Sequence, residues 1–286
     1  MMMNSDAVSA DSPAILKTGW RKIFAFLGPG FLVAVGNMDP GNWETDLKGG
    51  AQFGYLLLSV ILISNLFAMF LQHLAIKLGM VTGMDLAQAC RAYFSKPVNF
   101  ILWILCELAI IATDLAEVIG TAIALNLLFQ IPMTIGVLIT GFDIFLLLLL
   151  HNKSMRITET IVISLMMLIF GCFAYEIWIA SPNWNEVGIG MIPSIEILQN
   201  QHALYIGIGI LGATVMPHNL YLHPHIVQNR RFADGGTNLN TSIKFATWDS
   251  TIALAFAFFI NAAILIVSAS AFHGTPHQNV ADIRDA

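Results

Sequence analysis

NMDPGNW, residues 37–43, places an aspartate and a Pro-Gly pair inside an otherwise apolar stretch. The apolar residues FAFLGPGFLVAVG (24–36) precede it, and a second apolar run begins at Tyr55. Proline lacks a backbone donor and forces the residue before it out of the helical conformation. A carboxylate in a membrane span costs about 2.5 to 3.5 kcal/mol to insert and marks a functional pathway by default. The stretch therefore predicts a membrane helix that breaks at Asp39 for a functional reason.

The composition of the whole chain is that of a polytopic membrane protein. Of its 286 residues, 57% are hydrophobic and 11% are charged, whereas soluble domains carry about 25% charged residues. We therefore predict an all-α membrane fold. The three cysteines, Cys90, Cys106 and Cys172, are too scattered for a disulfide framework and are interpreted as small buried hydrophobes. No apolar segment with a cleavage site stands at the N-terminus, so no signal peptide is expected.

Seven membrane spans are predicted, and the first and the sixth are interrupted. Their approximate bounds are 23–51, 55–78, 98–129, 133–150, 160–180, 203–227 and 243–272. We expect a disordered cytoplasmic tail over 1–20, a transmembrane domain over 21–272 and a polar external tail over 273–286. Within the domain, a first five-helix repeat would cover about 21–181, and a second would begin over about 202–272.

The basic residues orient these spans with the N-terminus in the cytoplasm. Most of the 13 lysines and arginines then lie on the cytoplasmic side, and only Lys48 and Arg284 lie outside. The cytoplasmic set is Lys17, Arg21, Lys22, Lys77, Arg91, Lys96, Lys153, Arg156, Arg230, Arg231 and Lys244. This distribution obeys the positive-inside rule.

The two interrupted spans contain a weak internal repeat. GNMDPGN (36–42) aligns with ATVMPHN (213–219), which matches a small residue, a proline and an asparagine at the same offsets. The first span runs outward and the sixth runs inward, so the two segments have inverted topology. Paired broken segments of this kind indicate the substrate site of a secondary transporter.

Each break also releases backbone carbonyl groups. Pro40 with Gly41 and Pro217 interrupt their helices, and the carbonyls just before them lose helical partners. In lipid such groups are tolerated only where they line a cavity or pack against protein. The carbonyls concerned belong to Gly36 and Asn37 in the first break and to Ala213 and Thr214 in the second.

Three side chains add donors of different hardness. Asp39 brings a carboxylate and Asn42 an amide oxygen, which alone would suit Mg²⁺ or Ca²⁺. The thioether of Met216 favours softer transition metals, so the set predicts a divalent transition-metal site. Two other readings stay open: Met216 as packing, and Asp39 as the cap of the helix that restarts at Trp43.

The third span carries three acids on one face. At 100° per residue, Asp114 lies within about 20° of Glu107, and Glu117 about 80° from it. Three acids on a buried helix are either paired with cations or protonated, and a proton relay is the usual use of such a set. A structural salt-bridge face is the alternative. His218, directly after Pro217, is a second candidate for proton transfer or a packed histidine.

No enzyme motif is present in the sequence, since H-E-x-x-H, the P-loop and G-x-S-x-G are all missing. An aromatic-interleaved basic patch for nucleic acid is missing too. We therefore expect neither an enzyme nor a resident cofactor.

Three stretches, DPGN (39–42), DLAEVIG (114–120) and MPHNLYLH (216–223), closely resemble the signatures of the Nramp family of metal transporters. The resemblance covers the chain after about residue 20. It implies the inverted-repeat fold of amino-acid and sodium symporters and proton-coupled import of Mn²⁺ or Fe²⁺ across the cell membrane. The implied partners are divalent metal ions, protons and the lipid bilayer.

Carried over by position, the resemblance assigns the metal ligands to Asp39, Asn42, Met216 and the carbonyls of Ala213 and Gly36. Many members are expected to have Ala at the position of Gly36. Proton handling would involve Asp39 itself together with His218, Asp114, Glu117 and Glu107.

Family members have further spans after the seventh, including cationic partners for the acids of the third span. The alternative expectation is therefore a transport-inactive fragment, or a subunit that needs the missing C-terminal helices as a separate chain.

Overall fold

The computed structural model describes residues 29–151, 155–233, 239–276 and 278, and this part of the chain is helical with no β-strand. Its α-helices are α1 (Pro29–Ala34), α2 (Pro40–Phe53), α3 (Leu58–Thr82), α4 (Leu86–Tyr93), α5 (Lys96–Phe129), α6 (Met133–His151), α7 (Met155–Ala180), α8 (Trp184–Gly190), α9 (Glu196–Gln199), α10 (Gln201–Val215), α11 (Pro217–Ala233) and α12 (Leu239–Phe272). A 3-10 helix over Val35–Met38 joins α1 to the first break. The all-α prediction is confirmed.

Both predicted breaks are present where the sequence places them. The 3-10 helix ends at Met38, Asp39 is extended with φ −68° and ψ 161°, and Pro40 starts α2. In the second break, Met216 has φ 41° and ψ 89°, and Pro217 starts α11. Proline is well tolerated at the first helical position because its missing N–H would have no helical partner there. Each proline therefore ends one helix and opens the next.

Helix α12 forms the centre of the fold and runs parallel to α1 and α2. Its most apolar window is 67% buried, the highest share among the candidate spans of the described residues. The Ser268 hydroxyl donates to the Leu47 carbonyl at 2.6 Å. A Cβ at Gly50 would lie 2.4 Å from the Leu265 carbonyl oxygen, so only glycine allows this approach of α2 to α12.

Helices α3 and α10 complete the core around α2. An apolar cluster joins the start of α3, α10 and α12 through Leu57, Ile61, Ile206, Ile210 and Leu265. Between membrane helices, which have no hydrophobic driving force toward each other, such close van der Waals packing stabilises the association. The cluster fixes α10 antiparallel to α2, which brings the two breaks side by side.

Five helical segments in the described part of the chain are long and apolar enough to cross a membrane, and one of them contains the break at Met216. They are Leu58–Thr82, Lys96–Phe129, Thr160–Ala180, Gln201–Gln228 and Leu239–Phe272. They coincide with the predicted second, third, fifth, sixth and seventh spans. The first span is divided by its break, and a shorter apolar stretch over Met133–Phe142 lies in the fourth.

Some predictions concern residues outside the described part. The tail over 1–20, the start of the first span, most of the tail over 273–286 and the basic residues Lys17, Arg21, Lys22, Lys153 and Arg284 lie there. The domain boundaries and the orientation of the N-terminus stay predictions.

Candidate metal site

The first break is organised by Asp39 and Asn42. Asp39 caps α2, and its Oδ1 accepts hydrogen bonds from the backbone N–H of Asn42 at 3.0 Å and from the Asn42 amide Nδ2 at 2.5 Å. Asn42 is fully buried, whereas Asp39 is partly exposed. The capping role that the sequence left open is therefore observed, and the Asp39 carboxylate stays partly exposed at the break.

The Asn42 amide also crosses to the second break. Its Nδ2 donates to the carbonyl oxygen of Ala213 at 3.2 Å, and its Oδ1 accepts a long hydrogen bond of 3.4 Å from the Thr214 hydroxyl. Three of the predicted ligands, Asp39, Asn42 and Ala213, thus share one network. The NH₂ group of Asn42 lies between two oxygens, those of Asp39 and Ala213, that could both coordinate a cation.

The second break places Met216 beside the first. Met216 is buried, with 3% of its surface exposed. A Cβ at Gly36 would lie 3.3 Å from the Met216 sulfur, so the thioether lies against the backbone of Gly36. The Asn219 amide Nδ2 donates to that sulfur at 3.2 Å and to the Val33 carbonyl at 3.3 Å.

Three carbonyls of the breaks have hydrogen-bond partners, but only that of Gly36 has a helical backbone partner, so the expectation is wrong for Gly36 alone. Gly36 O accepts from the backbone N–H of Asp39 at 3.3 Å, because the chain turns in a 3-10 helix rather than opening fully. Asn37 O accepts from the Asn261 amide at 3.1 Å, and Ala213 O accepts from Asn42 as described above. A carbonyl has two lone pairs, so each can still face an ion.

The donor set is mixed and carries one carboxylate. The described residues contain no group of three or more His, Cys, Asp or Glu side chains placed to hold a metal. A site at the breaks would therefore use Asp39 for charge, the amide and carbonyl oxygens as neutral hard donors, and the Met216 sulfur as a soft donor. This combination suits divalent transition metals such as Mn²⁺ or Fe²⁺. It differs from the His and Cys ligand sets that are typical of structural zinc sites.

His218 connects the breaks to the acids of α5. It is half-buried, its Nδ1 is buried without a partner in the described structure, and it lies within electrostatic range of Asp39 and Asp114. Glu117 in turn lies within range of Asp114 and Asp39. The four predicted proton-pathway groups nearest the break are therefore linked by electrostatic interactions.

The burial predicted for the acids of α5 is wrong. Glu107, Asp114 and Glu117 are all exposed in this structure, because α5 packs mainly on α6 and none of its most apolar window is buried. Glu107 accepts a hydrogen bond from the Trp103 indole at 3.0 Å, which is a partner on its own helix. The shared face is observed, but other helices of the described chain leave it uncovered.

Sequence reasoning missed three groups that shape the breaks: the Thr214 hydroxyl, the Asn219 amide and the Asn261 amide. A signal existed for Asn219, since the internal repeat aligns it with Asn42. Asn261 has no such signal, because its role depends on where α12 packs. A buried pair between Gln72 of α3 and His223 of α11 was also missed.

The sequence profile of the family described as "Natural resistance-associated macrophage protein-like", or Nramp, matches residues 30–286. The chain belongs to the Nramp family. The Nramp chain is 61% identical over 268 residues to the divalent metal cation transporter MntH of Mesorhizobium japonicum, and covers 59% of that protein with 93% of its own length. It is 56% identical over 277 residues to the MntH of Xanthomonas campestris, covering 62% of it with 96% of its own length.

Solved structures support the same fold. A crystal structure of the Eremococcus coleocola manganese transporter, in complex with an aromatic bis-isothiourea substituted compound, superposes with a TM-score of 0.80 at 46% identity. The match covers 92% of the Nramp chain and 56% of that transporter. Over the matched residues the chain thus has an Nramp-like fold, and it is a multi-pass membrane protein. It spans about three-fifths of the length of these MntH relatives, which are named as transporters and not as enzymes.

Proposed function

We propose that this Nramp chain binds and imports divalent transition-metal ions, Mn²⁺ or Fe²⁺, across the cell membrane with coupled protons. The observation that carries the proposal is the meeting of the two breaks: a carboxylate, an amide and a carbonyl share one network, and a thioether lies beside it. The relatives named divalent metal cation transporters support the same substrate class.

Metal binding requires a rearrangement of Asn42. Its NH₂ group donates to Asp39 and to Ala213, and an N–H donor cannot coordinate a cation. Rotation of the amide would turn its oxygen toward the same two groups, so that three oxygens converge. Mn²⁺ and Fe²⁺ accept such oxygen donors, and the nearby sulfur disfavours Ca²⁺ and Mg²⁺ because a thioether adds nothing to a hard ion.

The broken helices supply the moving parts. A helix that is already interrupted at Asp39 or Met216 can tilt on one side of the break without losing helical hydrogen bonds on the other. Rocking of such elements around a fixed midplane site alternates access to the two sides of the membrane. Protons would leave Asp39 through His218, Asp114 and Glu117 toward the cytoplasm, with Glu107 further along.

Reconstitution of the whole chain in proteoliposomes tests the proposal. Mn²⁺ influx is followed with a trapped metal-sensitive dye and proton influx with a trapped pH dye. We expect both signals in the wild type and neither in Asp39→Asn. Asn126→Ala is a matched control, since Asn126 makes one amide-to-carbonyl hydrogen bond of 2.8 Å away from the breaks.

The alternative of a transport-inactive fragment gives a different result in the same samples. Wild-type chain that binds Mn²⁺ without importing it would show that the site forms and that transport needs the C-terminal helices of longer relatives. Wild-type chain that neither binds nor imports the ion would contradict the proposal for this chain.

A further inference from the structure

Asn219 holds a central place in the second break. Only 6% of its surface is exposed, and its backbone N–H donates to the Met216 carbonyl at 3.1 Å. Its amide Nδ2 donates both to the Met216 sulfur at 3.2 Å and to the Val33 carbonyl at 3.3 Å. One side chain therefore links the sulfur of the second break to the backbone before the first.

The orientation of this amide follows from its partners. The Met216 sulfur and the Val33 oxygen are both acceptors, so the NH₂ group and not the carbonyl oxygen of Asn219 must face them. Gly36 makes the arrangement possible. A Cβ at Gly36 would lie 2.7 Å from Asn219 Nδ2, which is too close for the amide to stay in place.

The hydrogen bond restricts a flexible ligand. A methionine side chain has three rotatable bonds and loses considerable freedom when it is fixed. A donor group that is fixed before the ion arrives binds more tightly, because less freedom is lost on binding. The thioether sulfur has two lone pairs, so an N–H on one leaves the other for a metal.

We propose that Asn219 is a positioning residue that fixes the Met216 sulfur in the metal site and thereby raises its preference for thiophilic ions. The inference rests on the proposed function, since it assumes that Met216 faces the ion. Asn219 would hold the Met216 sulfur in place by a hydrogen bond, as Asn42 holds the Asp39 carboxylate. Gly36 is also required for this arrangement, because its missing side chain leaves the space that the Asn219 amide occupies.

A double-mutant cycle on the purified full chain tests the assignment. Cd²⁺ and Mn²⁺ are titrated by calorimetry into the wild type, Asn219→Leu, Met216→Leu and the double variant. Leucine keeps the branched shape of asparagine without its donor. We expect Asn219→Leu to weaken Cd²⁺ about tenfold, the effect of one buried hydrogen bond, and Mn²⁺ by less than about threefold. In the Met216→Leu background the same substitution should change neither.

A spectroscopic readout separates positioning from general stability. The ¹¹³Cd chemical shift reports sulfur ligation, so it should move in Asn219→Leu in the same direction as in Met216→Leu. The control Asn126→Ala, which loses an amide-to-carbonyl bond elsewhere, should leave the shift and both affinities unchanged.

Equal losses for Cd²⁺ and Mn²⁺, or the same loss in the Met216→Leu background, would overturn the assignment. If Asn219→Leu does not fold, Gly36→Ala displaces the amide without removing it and should weaken Cd²⁺ selectively; unchanged Cd²⁺ affinity there would also overturn it. Failure of the proposed function looks different, because the wild type would then bind neither ion.

Discussion

The two helix breaks have the same layout and opposite chemistry. In each, the residue before the proline is contacted by an asparagine three positions later: Asn42 reaches Asp39, and Asn219 reaches Met216. Each asparagine also donates to a backbone carbonyl on the N-terminal side of the other break, that of Ala213 or Val33. The first break presents a hard, charged oxygen and the second a soft, neutral sulfur. On the proposed function, one scaffold repeated in inverted orientation would supply the charge of the metal site from one copy and its ion selectivity from the other.

The largest effect is expected from the charged half of this comparison. Asp39→Asn keeps the size of the side chain but removes the carboxylate, and we expect Mn²⁺ and Cd²⁺ affinity to fall by more than about 100-fold, since even partners outside the ligand shell contribute 10- to 100-fold. Calorimetry on the purified chain measures it. Retention of both affinities would show that Asp39 only caps α2.

Replacing the soft half should change selectivity more than affinity for hard ions. In Met216→Leu the packing volume is nearly kept, so we expect about a tenfold or greater loss of Cd²⁺ affinity and little change for Mn²⁺. Ca²⁺ and Mg²⁺ should compete better in the variant than in the wild type. Competition titrations measure the ratio, and unchanged exclusion of Ca²⁺ would show that the sulfur has no role in selection.

Asn42 should affect both breaks at once. Asn42→Leu removes the donors to Asp39 and Ala213 and the amide oxygen proposed for the ion, so we expect about a tenfold loss for Mn²⁺ and Cd²⁺ alike. Asn219→Leu, in contrast, should affect Cd²⁺ selectively. If the two variants lose Mn²⁺ and Cd²⁺ affinity in the same ratio, the chemical difference between the breaks does not set the preference of the site for Cd²⁺ over Mn²⁺.

The smallest effect is expected from Thr214. Its hydroxyl already donates to the Ile210 carbonyl at 2.7 Å, and its contact with the Asn42 oxygen is long at 3.4 Å. Thr214→Val removes the hydroxyl but should change metal affinity by less than about twofold, because the lost contact with Asn42 is long and weak. A larger loss in calorimetry would show that Thr214 orients the Asn42 amide.

The sequence predicts the breaks well because their causes are local. Pro40 and Pro217 act on their own helices, so the positions of the breaks follow from the residues themselves. The apolar periodicity likewise predicts the long spans, and five of them are confirmed in the described part of the chain. The inverted repeat even aligns Asn42 with Asn219, although the sequence alone does not show which atoms the second asparagine reaches.

Features that depend on packing between distant helices were beyond the sequence. The shared face of Glu107, Asp114 and Glu117 follows from helical geometry, but their exposure depends on what covers α5. The carbonyls of Asn37 and Ala213 accept hydrogen bonds from the side chains of Asn261 and Asn42, which lie far away in the sequence. Periodicity reports which residues share a face and does not report what lies opposite.

X-ray absorption at the cadmium edge, on Cd²⁺ bound to the purified full chain, tests most directly whether both breaks hold one ion. We expect a shell of oxygen ligands with a single sulfur, and the sulfur should vanish in Met216→Leu while the oxygens remain. A shell of oxygen alone in the wild type, or a sulfur that persists in Met216→Leu, would contradict it.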